Sequence, residues 1–280
     1  MELAEILRDC PADSAAAAVI GPDGVIDAAY THEPETRYRW ASVTKIATAL
    51  TILDACLDPG SDGGMALDDP AGPPGSTLGH LLCHASGYTF DSAKTTAKPG
   101  RHRIYSNRGI DVAAAHLEAV TGNPFAVELE RRFLGLLGMH EVRLEGAPSR
   151  GLVGPLSDLV LMAHELLRPT HLNPEAVHLA STPVLPEING VLPVYGRYRP
   201  HPWGYGCEVK GSKDPHWTSP DNSPETFGHF GMSGSFCWVD PQAQLACVFL
   251  CDLDFGQWAV DWWPPLSTRV LAAFATHTRP

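Results

Sequence analysis

The stretch WASVTKIATALTIL (40–53) places Ser42 three residues before Lys45. On a helix, positions i and i+3 share a face, so the hydroxyl and the amine can meet. A serine hydroxyl is a weak nucleophile near neutral pH and needs an adjacent base to take its proton. A lysine can be that base when burial or positive neighbours lower its pKa. Val43 and Ile46, flanking Lys45, predict partial burial. Ser42 is expected at the helix N-terminus, where free N–H groups and the dipole favour negative charge. The chemistry this spacing permits is acyl transfer through an acyl-serine. Ser-x-x-Lys alone is a common pattern, and it also describes a capping serine followed by a solvated lysine.

Two further stretches carry residues of the right type. Tyr105-Ser106-Asn107 precedes a predicted helix, and His229-Phe-Gly231-Met232-Ser-Gly enters a predicted strand pair. Taken singly, Tyr105 reads equally as an edge-of-core tyrosine, Asn107 as a helix cap and His229 as a satisfied loop histidine. In this order, however, the three stretches resemble the serine β-lactamase and penicillin-binding-protein superfamily, whose pattern is SxxK, SDN and KTG. YSN is similar to the YxN of the class C β-lactamase branch, and HFG to the HxG of family VIII carboxylesterases. The resemblance extends along the chain through LLCHASGY (81–88), KPGRHRIYSN (98–107), LGLLGMHEV (134–142), GPLSDLVLMAHELL (154–167) and GHFGMSGSFCWVDPQ (228–242).

The resemblance implies a role for each residue. Ser42 is the acylated nucleophile, and Lys45 activates it and shuttles its proton. Tyr105 assists as base and acid, its phenolate favoured by nearby cations. Asn107 hydrogen-bonds the substrate amide and Lys45. His229 stands where relatives carry the KTG lysine, and Gly231 lets the strand approach the substrate closely. The backbone N–H groups of Ser42 and Met232 form the oxyanion hole. The same comparison makes His84 and Ser86 structural rather than a second Ser/His pair. The remaining histidines show no metal-ligand spacing and read as surface or core residues. No cofactor and no metal are implied.

These residues must be positioned by a fold that both ends of the chain build. AAAAVIGPDGVIDAAY (15–30) reads as a hairpin around a PDG turn. Val43, Ile46, Ala47, Leu50, Leu53 and Leu57 recur at helical spacing. Residues 78 to 170 read as mainly helical: Asn107 caps a helix ended by Gly122, Asn123-Pro124 opens another closed by Gly138, and Ser157 caps a third stopped by Pro169. Strands return at WGYGCEV (203–209), SGSFCWVD and LACVFLC, and a last helix is expected from Pro265 to His277. Strands at both ends and helices between predict an α+β fold, β-lactamase-like: an antiparallel sheet built from both termini, flanked by helices, with an inserted mainly helical subdomain. The expected single catalytic domain spans 1–280, with 1–60 plus 195–280 as its α/β part and 61–194 as its helical part. A cleft between the two parts is the expected place for a site. Trp40, Tyr88, Tyr195, Trp203, Tyr205 and Trp217 are candidate pocket aromatics, and residues 212–226 a candidate lid.

Composition narrows the partners. The 280 residues carry a formal net charge of -12, which offers no electrostatic footprint for nucleic acid and no basic stripe for anionic membranes. The seven cysteines form no CxxC pair and read as reduced thiols. The acidic opening MELAEILRDCPADS has no apolar signal-like core, so a cytoplasmic protein is expected. The expected partner is a small-molecule ester or amide, with an amine or alcohol as an acceptor alternative to water. Four activities stay open: an esterase or amidase, a transacylase of small-molecule biosynthesis, a β-lactamase or D-peptidase, and a non-catalytic penicillin-binding-like sensor.

Overall fold

The computed structural model describes residues 2–58, 60 and 64–275. The first part of the chain runs through α1 (Leu3–Leu7), the hairpin β1 (Ala15–Gly21) and β2 (Gly24–Tyr30), β3 (Tyr38–Arg39), a 3₁₀ turn (Ala41–Val43) and α2 (Thr44–Leu57). The middle contains α3 (Leu78–Leu82), β4 (Arg103–Ile104), α4 (Asn107–Thr121), α5 (Phe125–Leu129), a π-helical turn (Glu130–Leu134) and α6 (Gly135–Leu137). It continues through β5 (Arg143–Leu144), β6 (Leu152–Gly154), α7 (Leu156–Leu167), α8 (Pro174–Ser181), β7 (Gly190–Leu192) and β8 (Gly196–Tyr198). The last part is β9 (Glu208–Val209), β10 (Phe227–Gly231), β11 (Ser235–Asp240), β12 (Leu245–Cys251) and α9 (Gln257–Phe274).

Among the described residues the main sheet has the order β2-β1-β12-β11-β10-β9, and every neighbouring pair is antiparallel. β1 lies beside β12 with Ala15 opposite Cys251, so the two ends of the chain close one sheet, as the pattern of strands predicts. Side chains alternate across a strand. Ala16, Ala18 and Ile20 therefore enter the core shared with α2 and α7, while Ala15, Ala17 and Val19 enter the one shared with α1 and α9. Both faces of β1 are buried, which is why its sequence is a continuous apolar run rather than an alternating one.

Several local expectations change. Ser106, not Asn107, caps α4: its hydroxyl accepts a hydrogen bond from the Gly109 N–H at 3.0 Å. The amide of Asn107 is thereby left for other partners. Ser157 lies inside the first turn of α7, which follows Pro155 and has no side-chain cap. Helix α8 lies between the predicted helices and the predicted strands, in a stretch for which no element is expected; Asn173 caps it and Pro174 opens it, the N-terminal signature an Asn-Pro pair can give. The middle of the chain also carries two short three-stranded sheets, β3-β6-β5 and β4-β7-β8, the second completed by strands from either side of α8.

Helix α9 starts at Gln257, eight residues earlier than expected, and runs through Pro264 and Pro265. Each proline removes a backbone donor. Complete burial of Ala259, Trp263 and Leu266 on that helix opposes the cost. The expected end at His277 lies outside the described residues. Residues 212–226 are not a lid, for Trp217, Thr218 and Ser219 are buried. Lys213 pairs there with the buried Glu208 at 2.8 Å, and Trp217 Nε1 donates to the same carboxylate at 2.6 Å. No helix among the described residues is long and apolar enough to cross a membrane.

Candidate active site

Ser42 sits where β3 passes through Trp40 and Ala41 into α2. Trp40 is fully buried, and its N–H donates to the Leu152 carbonyl at 2.9 Å. Ala41 has φ +43°, a left-handed conformation that costs a non-glycine residue about 1 kcal/mol. The β10–β11 hairpin holds this turn from the other side: Ser235 Oγ donates to the Trp40 carbonyl at 2.8 Å and Ser233 Oγ to the Arg39 carbonyl at 2.6 Å. Gly231 is the point of closest approach. A Cβ there would lie 2.4 Å from Ser235 Oγ and 2.6 Å from the Trp40 carbonyl oxygen. Beside the close approach to substrate expected of this glycine, the contacts show that it makes room for the serine's own turn.

The geometry converges on one oxygen. Ser42 Oγ is 2.9 Å from Lys45 Nζ and 2.7 Å from the Tyr105 hydroxyl, which donates to it. Lys45 is completely buried, and its amine also donates to Asn107 Oδ1 at 2.7 Å and to the Ser149 carbonyl at 2.8 Å. Burial lowers the Lys45 pKa to about 7. Asp111 and Asp91 pull it back up, and Arg150 adds to the lowering. Near neutral pH a large share of Lys45 is therefore uncharged. Its two hydrogens can then satisfy Asn107 and Ser149, which only accept, leaving the lone pair for the Ser42 proton.

Two carboxylates stand behind these acceptors. Asn107 Nδ2 donates to Asp91 Oδ1 at 2.9 Å, which orients its amide oxygen toward Lys45. The Ser149 N–H donates to Asp111 Oδ1 at 2.9 Å. Neither Asp91, Asp111 nor Ser149 was singled out by sequence, because a backbone carbonyl in a loop leaves no motif.

Tyr105 follows β4, and its ring packs against His84, Phe90, Trp203 and His229, with centroid separations of 4.7 to 6.0 Å. Lys45 Nζ lies 4.9 Å from the ring centroid. Burial pushes the phenol's pKa up, with the Ser42 hydrogen bond opposing it. Tyr105 is thus a protonated phenol at neutral pH, which corrects the expectation of a phenolate. His229 Nδ1 is 2.6 Å from the Phe230 carbonyl, which can only accept, so Nδ1 carries the proton. Its unprotonated Nε2 lies 3.3 Å from the Tyr105 hydroxyl, an alternative acceptor for the one proton that Tyr105 donates to Ser42. Burial, and next the charge of Lys45, lower the His229 pKa to about 3. His84 accepts from the Ser106 N–H through Nδ1 at 3.2 Å and makes no bond to Ser86.

A cavity of about 600 Å³ opens over Ser42, with Tyr105, His229 and Met232 in its wall. None of the six aromatics expected to line it does so. Trp40, Trp203 and Trp217 are core residues, and the lining comes instead from Phe90, Phe230 and a run of aliphatic residues at 191–194.

The chain resembles known proteins over nearly its whole length. A crystal structure of a β-lactamase from Mycobacterium bovis is 42% identical, covering 98% of this chain and 100% of that one, with a TM-score of 0.92. Two more distant structures share the fold. EstCE1, a hydrolase with promiscuous acyltransferase activity, is 17% identical over 96% of both chains with a TM-score of 0.78. Simvastatin synthase (LovD) from Aspergillus terreus is 15% identical over 97% of this chain and 96% of its own, with a TM-score of 0.77. Comparison with the curated proteins returned no match. The family model for Beta-lactamase matches residues 3–264, and the chain belongs to that family.

Proposed function

We propose that this protein is a serine acyl-enzyme hydrolase or acyltransferase acting on a small-molecule ester or amide. The observation that carries the reading is the double contact at Ser42 Oγ, with the buried Lys45 amine at 2.9 Å and the Tyr105 hydroxyl at 2.7 Å. Neutral Lys45 takes the Ser42 proton as Oγ attacks the substrate carbonyl, forming a tetrahedral oxyanion. The N–H groups of Ser42 and Met232 stabilise that charge, a contribution of about 3 kcal/mol per donor in comparable sites. Collapse expels the leaving alcohol or amine. Tyr105, a phenol at hydrogen-bond distance from Ser42, gives its proton to the leaving group, and the protonated Lys45 reprotonates the Tyr105 phenolate, so both groups regain their starting states. The acyl group then passes from Ser42 Oγ to an acceptor by the same steps in reverse, the acceptor's proton being taken up as it attacks and Ser42 regaining a proton as it leaves.

The acceptor is water or a bound alcohol or amine. The residues lining the cavity include no Asp or Glu to activate water separately, which favours Tyr105 and Lys45 serving whichever acceptor enters. This supports a transacylase reading alongside the hydrolase.

Intact-mass spectrometry tests the core of the proposal. A fluorophosphonate or an activated p-nitrophenyl ester should add one phosphonyl or acyl mass to the wild type and none to Ser42→Ala. Modification at Ser86 or Ser106 would overturn the assignment. Adding amines and alcohols at millimolar concentration separates the acceptors: new amides or esters support transfer, and free acid alone at unchanged turnover leaves an esterase.

A further inference from the structure

One wall of the cavity is formed by residues 191–194 of the β7–β8 hairpin. β7 pairs in parallel with β4, Gly190 beside Arg103 and Val191 beside Ile104. Tyr105 is the next residue of that chain segment, so one short ladder sets both the phenol and the wall. The approach is tight: a Cβ on Gly190 would lie 2.4 Å from His201 Nδ1 and 2.7 Å from Arg103 Cβ. At the other end of the hairpin, the Tyr195 ring packs against Phe230 and Phe255 at 6.0 and 6.5 Å. The wall is therefore anchored at both ends.

What it presents is apolar and open. Val191 is 47% exposed and Val194 65% exposed, unusual values for side chains of this kind. Phe90 and Met232, about half exposed, face the same cavity from other elements. Four large exposed apolar side chains around one mouth form a patch that marks a binding surface.

The lining offers no charge to an anion. Arg103 is part of it, yet its guanidinium is 2% exposed as a residue and spends its donors on the carbonyls of Cys83, Val184 and His201. His229 has its Nδ1 proton on Phe230 and turns a lone pair toward Tyr105. A carboxylate entering this space would lose its hydration and gain no counter-charge.

We infer that the cavity bounded by Phe90, Ile104, Val191, Val194 and Met232 is an acyl-chain site that selects uncharged, extended aliphatic or aromatic acyl groups and rejects acyl groups ending in a carboxylate. This rests on the acyl-enzyme reading of Ser42 and names the substrate class for it. The 600 Å³ available falls within the range of about 300–1,000 Å³ typical of small-molecule sites. Each methylene moved from water to an apolar wall should raise kcat/KM about fourfold until the cavity is filled.

The experiment is a series of p-nitrophenyl esters from acetate to octanoate, with mono-p-nitrophenyl glutarate set against the valerate ester of equal chain length. Two results are expected: a rise of about fourfold per methylene over the first members, and a preference for valerate over glutarate of about 10²-fold or more. Val194→Asp and Val191→Asp should flatten the series, and Val194→Leu should keep it. A flat wild-type series, or glutarate turned over as fast as valerate, would overturn the inference while Ser42 is still acylated. If neither ester nor fluorophosphonate modifies Ser42, the acyl-enzyme reading itself fails, and the two failures are told apart by mass.

Discussion

Asp111 holds Ser149 by a 2.9 Å hydrogen bond from the Ser149 N–H, and the carbonyl of the same Ser149 accepts from Lys45 Nζ at 2.8 Å. A carboxylate on α4 thus orients an acceptor for the buried amine without touching it. Its charge also raises the Lys45 pKa, while that of Arg150 lowers it.

The pH dependence of kcat/KM should follow from this arrangement. The active form of Lys45 is neutral, so activity should rise with pH through an apparent pKa of about 7. Asp111→Asn removes a negative charge, and the rising limb should move to lower pH. Arg150→Met removes a positive charge, and the limb should move to higher pH. Limbs that stay in place in both variants would exclude Lys45 as the titrating base.

Lys45 and Tyr105 contact one oxygen and should behave as one unit. Lys45→Ala and Tyr105→Phe should each lower kcat by about 10² or more. The double variant should be far less impaired than the product of the two losses, because groups acting together are not additive. Single-turnover kinetics on folded variants measure this, and a fully multiplicative loss refutes the unit.

Lys45 also imposes a pH dependence on stability. Its folded pKa is lowered to about 7 from an ordinary 10.5. Between those values the unfolded chain binds more protons than the folded one, so stability should rise with pH across that window. The stability of the wild type minus that of Lys45→Met should therefore increase from pH 7 to pH 10. Urea titrations at several pH values read it, and a difference that does not vary with pH contradicts the burial argument.

Gly231→Ala should damage the nucleophile's turn. The added methyl meets Ser235 Oγ at 2.4 Å and the Trp40 carbonyl at 2.6 Å, and overpacking of this kind costs about 1–3 kcal/mol. The expected result is a lower Tm together with slower Ser42 acylation. A Gly231→Ala protein as stable and as fast as the wild type would show that the turn yields freely.

His229→Lys should put a charged amine where the wild type has a neutral ring. Preference should then shift toward substrates bearing a carboxylate, penicillins among them, measured as the ratio of kcat/KM for acidic and neutral substrates. A wild type that already hydrolyses penicillins faster than neutral esters at pH 8 would contradict the role given to His229.

What the linear chain determined were short-range relations. The three-residue step from Ser42 to Lys45 on one helix face, the Tyr105–Asn107 pair before α4 and the His229–Gly231 strand are all local. The apolar periods of α2, β1 and β12 are local too, and together with the strands at both ends they carry the antiparallel sheet that joins the termini. Packing over long separations decided the rest. Lys45 meets Asn107 and Ser149 across 62 and 104 positions of sequence, and only that meeting makes it a buried, half-neutral base. The same holds for the cavity: a valine at 194 is an ordinary loop residue until β7 pairs with β4 and brings it to the mouth over Ser42. The tryptophans that sequence offered for that place went to the core. Burying a tryptophan removes more apolar surface from water than any other choice, and position in the chain does not reveal which rings the core will claim.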